Sequence, residues 1–352
     1  MNNLSFGSRV VGDSYKPLFL PDIGTFFNQD VELALQMIKT LKDAGVEIVK
    51  GEILQKIDFA LDEEYYVEFY NKNEKKIVRE KYRDLIARKV LSLDQYEKIF
   101  NYCNEIEVPF VVSVYDFEGA EFAKDIGATG IKIASSNVVH APLIEFVSKL
   151  DLPIIIDTGK ASPDEICRAF QWANDAGSEQ IIIEHSPPAP PASLSLHNLK
   201  MIQTMKQMFS CPIGLSDHYD GTEVMYAAIA LGANVIEKGI TPDELLIDQD
   251  VSHALPVSQV QNVVRKCNEI YQALGNGIRT WNKENQIHPA RMGLIAKKDL
   301  TEGEELSIEN VDFAWPALGI PVEHWPRVNG SVIEKPVKKY SIIRWSDVKL
   351  SD

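Results

Sequence analysis

The sequence predicts an α/β fold, a (β/α)8 TIM barrel followed by a small β-rich domain. Seven or eight short β-rich runs recur as far as Val235, and segments long enough for a helix separate them. Strand–helix repeats of this kind close into a barrel of about 250 residues. The 352 residues of the chain leave room for a second, smaller module. After Arg291 the sequence changes to short strands and turns, such as Glu302-Gly303-Glu304.

Each predicted barrel strand ends on polar or ionisable side chains. In strand order these are Asp22; Lys50; Ser113; Lys132 and Ser135; Asp157 and Thr158; Glu184 and His185; Ser216, Asp217 and His218; and Glu237 and Lys238. Active sites of TIM barrels form at the C-terminal ends of the strands, so we expect these groups to meet at one mouth. The pattern indicates an enzyme.

The chain divides into three predicted parts: a barrel domain over residues 1–275, a linker over 276–290 and a C-terminal domain over 291–352. Two segments interrupt the barrel repeat. A polar, aromatic stretch from Gly51 to Lys89 either shapes a substrate pocket or is a solvated excursion. The prolines from Ser186 to Pro191 predict a rigid extended loop over the barrel mouth.

Charge and cysteine content narrow the class of protein. The formal net charge of −15 disfavours nucleic-acid and anionic membrane partners, although local lysines still allow an anionic substrate. The four cysteines form no CxxC pair, and Cys103, Cys167 and Cys211 are predicted to be buried, reduced thiols. No signal peptide and no run of about 18 apolar residues is visible, so a cytoplasmic protein is expected.

Two strand-end lysines point to an anionic substrate. Lys50 and Lys132 offer point charges for phosphate or carboxylate, and the hydroxyls of Ser135, Thr158 and Ser216 add further donors. A structural ion pair would explain one lysine at a strand end. Several lysines at strand ends in one ring favour a binding site for an anion.

A histidine follows the seventh strand. The sequence Ser216-Asp217-His218 places this imidazole at the same mouth as Glu237 and Lys238. A lone histidine is more often structural than a ligand, so a structural role and a role as ligand or acid–base group both stay open.

The order and spacing of several motifs carry a family resemblance. These motifs are Asp22-Ile23-Gly24, Val49-Lys50, Lys132-Ile133-Ala134-Ser135, Asp157-Thr158-Gly159, Gly214-Leu215-Ser216-Asp217-His218 and Val235 to Lys238. With them, the chain resembles the N-acetylneuraminate (sialic acid) synthase family over nearly its full length. The tail, with Gly303-Glu304 and Gly319-Ile320-Pro321, is similar to the antifreeze-like (SAF) domain of that family.

The resemblance implies a reaction and a set of site residues. The family condenses phosphoenolpyruvate with an aldose, typically an N-acylated mannosamine-type hexose, and gives a sialic-acid-like 3-deoxy-ulosonic acid and phosphate. A divalent metal (Mn or Mg) polarises the sugar aldehyde. The implied roles are phosphoenolpyruvate binding for Lys50, Ser113, Lys132, Ser135, Thr158, Gly159 and Ser216, catalysis for Asp22, Glu237, Lys238 and Asp250, and metal binding for His218.

The acceptor and metal side departs from the family pattern. Gly239 stands where the family has a second metal-binding histidine, so the implied metal site is weakened. Either Glu52, His185, Asp248 or His253 substitutes for that ligand, or the enzyme works with a weakly bound metal or with none. Trp315 replaces an arginine of the family, which exchanges a charged fork for a stacking surface. We expect an acceptor other than N-acetylmannosamine, with Glu52, His185 and Trp315 on its side.

Two other functions stay open. A Schiff-base pyruvate aldolase would use Lys132 or Lys238 as its nucleophile. A non-catalytic sugar- or phosphometabolite-binding paralogue would fit the missing histidine at Gly239. The resemblance further implies a domain-swapped homodimer in which the small C-terminal domain caps the partner's barrel.

Overall fold

Eight parallel strands close into a barrel in the first part of the chain. The computed structural model describes residues 3–71, 74–188, 191–244, 250–278 and 291–350, and it divides into two compact units, Met1–Gly275 and Asn276–Asp352. The strands of the first unit are β1 (Leu4–Phe6), β2 (Arg9–Val11), β3 (Leu18–Asp22), β4 (Val49–Glu52), β5 (Tyr66–Asn71), β6 (Lys76–Lys81), β7 (Phe110–Val114), β8 (Gly130–Ile133), β9 (Ile154–Asp157), β10 (Ile181–His185), β11 (Ile213–Asp217), β12 (Val235–Thr241) and β13 (Leu255–Pro256).

The barrel order follows the chain. Strands β3, β4 and β7 to β12 pair in parallel in sequence order, and β12 pairs with both β11 and β3, which closes the ring. The helices of this unit are α1 (Val31–Asp43), α2 (Tyr82–Ala87), α3 (Leu93–Glu105), α4 (Phe117–Asp125), α5 (Ala141–Ser148), α6 (Pro163–Asp175), α7 (Lys200–Met208), α8 (Glu223–Ala230) and α9 (Val260–Leu274). The predicted (β/α)8 barrel is confirmed.

Local sequence explains where the barrel helices begin. Asp30 caps α1 by accepting a hydrogen bond from the backbone N–H of Leu33. Ser92 and Ser162 start α3 and α6 with capping boxes. In each box the side chain of a glutamine or glutamate three residues later accepts a hydrogen bond from the backbone N–H of the cap residue. These caps fix each helix start immediately after the loop that leaves the mouth.

A short antiparallel hairpin, β1–β2, fills the end of the barrel opposite the strand C-termini. Leu4, Phe6 and Val11 of the hairpin pack against apolar side chains from the barrel interior. The interior partners are Leu18, Leu20, Ile48, Val111, Ile155, Ile182 and Val235. A Cβ at Gly130 would collide with the Phe6 ring, so a glycine is required there. This end is a sealed apolar core, and chemistry is confined to the other end.

The polar insertion after β4 folds into structure of its own. It forms a 3₁₀ turn (Ile57–Phe59), the antiparallel hairpin β5–β6 and helix α2 before α3 resumes the barrel repeat. Leu54, Ala60, Leu85 and Ile86 make a small separate core beneath it. The insertion is therefore a packed lobe at the C-terminal end of β4.

Of the three cysteines predicted to be buried, Cys103 and Cys211 are buried, whereas Cys167 is exposed. The prediction was wrong for Cys167 because the buried stripe of α6 runs through Ile166, Ala169 and Ala173. One residue along a helix turns by about 100°, which carries Cys167 off that stripe.

The second unit has small sheets and a compact apolar core. Its elements are β14 (Gly293–Ala296), β15 (Val311–Ala314), α10 (Trp325–Val328), β16 (Val332–Ile333) and β17 (Val348–Lys349). The two strand pairs β14–β15 and β16–β17 are antiparallel. Buried side chains such as Leu294, Leu306 and Ile320 form the core. The described residues include no helix long and apolar enough to cross a membrane.

Candidate active site

One layer of side chains inside the barrel mouth carries most of the predicted chemistry. Side chains two residues apart on a strand share a face. On each of the eight strands, one interior residue is apolar or glycine, and the residue two positions later, which shares its interior face, is polar. The pairs are Leu20 and Asp22, Ile48 and Lys50, Val111 and Ser113, Gly130 and Lys132, Ile155 and Asp157, Ile182 and Glu184, Gly214 and Ser216, and Val235 and Glu237. We call the eight polar members the upper layer.

Lys132 lies among three carboxylates of the upper layer. Its ammonium nitrogen is 2.5 Å from Oε1 of Glu237, 2.9 Å from Oδ2 of Asp157 and 2.9 Å from Oε2 of Glu184. We call these four residues the Lys132 cluster. Burial alone would lower the pKa of Lys132, but the three carboxylates outweigh it and hold that pKa well above its ordinary value. Lys132 is therefore a fixed cation.

One positive charge cannot neutralise three buried carboxylates, and Glu184 is the one that keeps a proton. Its side chain is 0% exposed, and burial together with the neighbouring Glu237 raises the pKa of Glu184 to about 8. Asp157 differs: burial would raise its pKa, but Lys132 outweighs this and lowers it. A Cβ at Gly214 would lie only 2.8 Å from the Glu184 side chain, so the glycine makes room for this residue inside the barrel.

The protonated Glu184 predicts a specific dependence of stability on pH. Its folded-state pKa of about 8 exceeds the ordinary 4.5, so the native chain holds a proton that the unfolded chain releases. The wild-type protein should therefore lose stability relative to Glu184→Gln as the pH rises from about 5 to 8, with a slope of up to about 1.4 kcal/mol per pH unit. Urea unfolding at several pH values measures this. The exposed Glu145, changed to Gln, should leave the wild-type slope intact, and equal slopes for wild type and Glu184→Gln would contradict the assignment.

A second buried ion pair joins Lys50 to Asp22. Their side chains approach to 2.6 Å, and Lys50 also lies 3.9 Å from Glu237. The other Asp22 oxygen accepts the backbone N–H of Gly24 at 2.8 Å. Burial would lower the pKa of Lys50, but Asp22 and Glu237 outweigh it and raise the pKa. Glu237 thus stands between two lysines, as the carboxylate they share.

The hydroxyl and glycine candidates differ in what they can offer a ligand. Ser216 donates to Oε1 of Glu237 at 3.3 Å, inside the upper layer. Thr158 donates its hydroxyl to the Glu184 carbonyl oxygen at 2.8 Å, and the Gly159 N–H donates to Asp157 at 3.0 Å. A Cβ at Gly159 would lie 3.0 Å from the Cβ of Ser135, so these two residues are in close contact. Ser135 and Gly159 line the cavity described next. Thr158 does not line it, and its hydroxyl donates to the backbone instead.

A cavity of about 530 Å³ opens over the upper layer. Seven upper-layer residues line it, all except the fully buried Glu184. The segments after β8 and β9 supply small polar residues and an exposed lysine to its wall: Ser135, Ser136, Asn137, Gly159 and Lys160. The insertion and its neighbours supply Leu54, Phe59, Tyr82, Ile86, Lys89 and Tyr115. We call the part of the lining formed by the first group the polar end and the part formed by the second group the aromatic-aliphatic end.

Two predicted residues that immediately follow upper-layer positions are committed to a buried network. His185 lies 2.5 Å from the carbonyl oxygen of His197 through its Nε2, and it is absent from the cavity wall. Burial lowers the pKa of His185. Lys238 lines the cavity, and it is held by Asp217 at 2.9 Å and by the carbonyl of Tyr219, while Asp217 also lies 3.3 Å from His197. This network fixes the loops after β10 and β11.

The remaining candidates fall in different places. Glu52 lines the cavity and accepts a hydrogen bond from the Tyr115 hydroxyl at 3.2 Å. His218 lines the cavity with its ring centre 4.6 Å from that of His253. Trp315 lies in the second unit and is 66% exposed. The side chain of Asp250, like the whole of Asp248, lies outside the described residues.

The carboxylates of the Lys132 cluster could serve as a metal-binding group. Asp157, Glu184 and Glu237 each offer an oxygen, and these atoms lie within 4.8 Å of one another. Hard oxygen donors of this kind suit Mg²⁺ or Mn²⁺. The ammonium of Lys132 already lies against all three, so a metal ion would have to displace a cation that is part of the protein.

Two members of the Lys132 cluster, Asp157 and Glu184, were given no role in the site when it was predicted from the sequence. Both were visible as strand-end residues. The signal that separates them from His185 and Lys238 is the two-residue period, because each follows an apolar interior residue by two positions.

The chain is similar to known synthases of nonulosonic acids. It is 28% identical over 337 residues to N,N'-diacetyllegionaminic acid synthase of Campylobacter jejuni, covering 94% of this chain and 99% of that one. It is 26% identical to N-acetylneuraminate-9-phosphate synthase of the mouse, over 86% of this chain and 84% of that one. A sialic acid synthetase structure from Leptospira borgpetersenii, in complex with citrate, shares the fold with a TM-score of 0.71 and 24% identity, covering 81% of this chain and 94% of that one.

Family matches account for most of the chain from residue 37 onwards. Residues 37–279 match the NeuB family, and residues 291–349 match the SAF domain. The sequence resemblance and the predicted C-terminal SAF domain are thereby confirmed. The chain belongs to the NeuB family, the phosphoenolpyruvate-dependent, carbon–carbon bond-forming synthases that the resemblance predicted.

Proposed function

We propose that the chain condenses phosphoenolpyruvate with an unphosphorylated, di-N-acylated deoxyhexose to give a 3-deoxy-nonulosonic acid and phosphate. The observation that carries the proposal is the upper layer, in which two fixed ammonium groups and several carboxylates face one cavity with a polar and an aromatic end. The similarity to diacetyllegionaminic acid synthases agrees with this acceptor class.

The donor binds at the polar end of the cavity. Lys132 faces its carboxylate, while Lys50, Ser135 and Ser216 surround its phosphate, and the exposed Lys160 lines the same end of the cavity. Ammonium groups and hydroxyls together bind such oxyanions through charge-assisted hydrogen bonds. Asp22 and Glu237 hold Lys50 and Lys132 in place before the donor arrives. Ser113 and Gly159 complete the wall at this end.

The reaction proceeds by attack of C3 of the enol on the aldehyde carbon of the sugar, and the aldehyde oxygen becomes a hydroxyl by taking up a proton. Positive charge then develops at C2, and the carboxylates of the upper layer stabilise it. Water adds at C2 and one of its protons passes to a carboxylate. The C2–O bond to phosphate then breaks as the new C2 hydroxyl becomes the keto oxygen, and the proton of that hydroxyl leaves with the phosphate. We assign the proton transfer to Glu237, which lies between Lys50 and Lys132. A bound divalent metal would supply polarisation of the sugar aldehyde.

The acceptor occupies the aromatic-aliphatic end. Phe59, Tyr82 and Ile86 present apolar surface suited to acyl methyl groups and to a deoxy carbon. Glu52 and Tyr115 offer polar contacts to the ring hydroxyls. The exposed Trp315 would contact the acceptor across a domain-swapped homodimer, and sedimentation as a monomer at micromolar concentration would contradict that arrangement.

The fixed charge of Lys132 argues against the aldolase alternative. A Schiff base needs a neutral amine, whereas three carboxylates hold the pKa of Lys132 well above its ordinary value. The ammonium group of Lys238 is likewise held by Asp217 and by a backbone carbonyl, which also disfavours its use as a neutral nucleophile.

Phosphate release in the presence of candidate acceptors tests the proposed function. The purified chain, with phosphoenolpyruvate and Mn²⁺ or Mg²⁺, should release phosphate with a 2,4-diacetamido-2,4,6-trideoxyhexose. It should release little with N-acetylmannosamine and least with N-acetylmannosamine 6-phosphate. Mass spectrometry should then find the nonulosonic acid. Phosphoenolpyruvate binding by calorimetry without release for any acceptor would support the non-catalytic alternative, and preference for the phosphorylated sugar would overturn the acceptor assignment.

A further inference from the structure

We infer that His218 and His253 together bind one divalent transition-metal ion at the cavity, with His253 supplying an imidazole from outside the barrel strands. The two rings face the same cavity, with centres 4.6 Å apart and planes tilted by 50°. Two imidazole nitrogens on one tetrahedral ion, each about 2.0–2.1 Å from it, lie about 3.3 Å apart. Rings at the observed separation can bring one nitrogen each to that distance.

The backbone fixes His253 in this position. Strand β13 pairs with the end of β12, with Leu255 opposite Ile240 and Pro256 opposite Thr241. His253 lies two residues before Leu255 and is 4% exposed. Its neighbours Val251 and Ala254 are also buried. The imidazole is therefore carried by a packed segment anchored to the barrel.

Gly239 on β12 makes room for this segment. A Cβ at Gly239 would lie 3.3 Å from the ring of Phe26 and 3.5 Å from the Cβ of Ala254. The ring of Phe26 and the residue next to His253 thus cover the face of β12 at this position. The resemblance places a histidine at Gly239, and here an imidazole reaches the cavity from the following segment instead.

The donor set suits a metal that keeps open positions. Two imidazoles favour a first-row transition ion over Mg²⁺ or Ca²⁺, and they leave coordination places for water or a substrate oxygen. Asp157 lines the same cavity and offers a carboxylate oxygen there. The carboxylate group of the Lys132 cluster is the competing site, but the ammonium of Lys132 already lies against it.

Metal binding tests the inference independently of the proposed reaction. The full chain, stripped with a chelator, is titrated with Co²⁺ and Mn²⁺, and binding is read from the Co²⁺ visible spectrum and the loss of the free Mn²⁺ resonance signal. The wild type should bind one ion per chain with a spectrum typical of nitrogen ligation. His218→Ala and His253→Ala should each bind at least about 10-fold more weakly, because each loses a direct ligand. His324→Ala, in the second unit, is the matched control and should bind as the wild type does.

The competing outcomes are distinct. Unchanged binding by a folded His253→Ala protein would overturn the inference, and so would tight binding lost in Asp157→Asn but kept in both histidine variants. Failure of the wild type to bind either ion would overturn it as well. Circular dichroism of each variant checks folding. Metal binding without phosphate release for any sugar would leave this site standing and count only against the proposed reaction.

Discussion

Replacement of Lys132 by Met should abolish phosphate release, with a loss of about 10³-fold or more, and should also destabilise the fold by about 3–5 kcal/mol. The loss of activity follows because the fixed cation at the polar end of the cavity disappears. The loss of stability follows because Asp157 and Glu237 stay buried without their cation. Phosphate release, calorimetry with phosphoenolpyruvate and urea unfolding measure the effects.

Two further variants make the Lys132 result interpretable. Lys124→Met removes a lysine from the exposed last turn of α4 and should leave the activity, binding and stability near those of the wild type. Lys132→Met combined with Asp157→Asn and Glu237→Gln removes the two carboxylates that would otherwise lack a cation, so it should regain part of the stability and none of the binding. Phosphoenolpyruvate binding by the folded Lys132→Met protein within threefold of the wild type would contradict the donor site.

The barrel could be predicted from the sequence because its evidence is local. Most barrel strands have a short β-branched run, several barrel helices begin at a side-chain cap such as Asp30, Ser92 or Ser162, and the barrel strands pair in chain order. The upper layer was equally accessible, since a two-residue period needs no tertiary information once the strands are known. The insertion was harder, because its polar sequence forms a packed lobe around Leu85 and Ile86 that the barrel repeat does not encode.

The partners within the site could not be predicted, because they depend on ring closure. Lys132 and Glu237 are 105 residues apart in sequence and meet only when β12 returns beside β3. His185 and Lys238 also owe their partners to the closed barrel, although Lys238 lines the cavity as well. Each lies at a strand end but one position beyond an upper-layer residue, so it joins the network around Asp217 and His197. A strand-end position alone does not distinguish the two faces.

Glu237→Gln should lower kcat by about 10³-fold, equivalent to about 4 kcal/mol of transition-state stabilisation, while weakening phosphoenolpyruvate binding by less than about 10-fold. Glutamine keeps the size of the side chain and its contact with Ser216, but it cannot take the proton from the attacking water or oppose positive charge at C2. Steady-state phosphate release and calorimetry separate these two quantities. Glu184→Gln is the comparison from the same cluster.

Glu184 already carries a proton at neutral pH and lies outside the cavity wall, so its replacement should cost kcat far less than that of Glu237. Comparable losses in the two variants would mean that the charge of the whole Lys132 cluster matters and no single carboxylate transfers the proton. A Glu237→Gln protein that keeps kcat within 10-fold of the wild type would remove Glu237 from the mechanism. Asp22, the partner of Lys50 at 2.6 Å, would then be the next carboxylate in reach of the cavity.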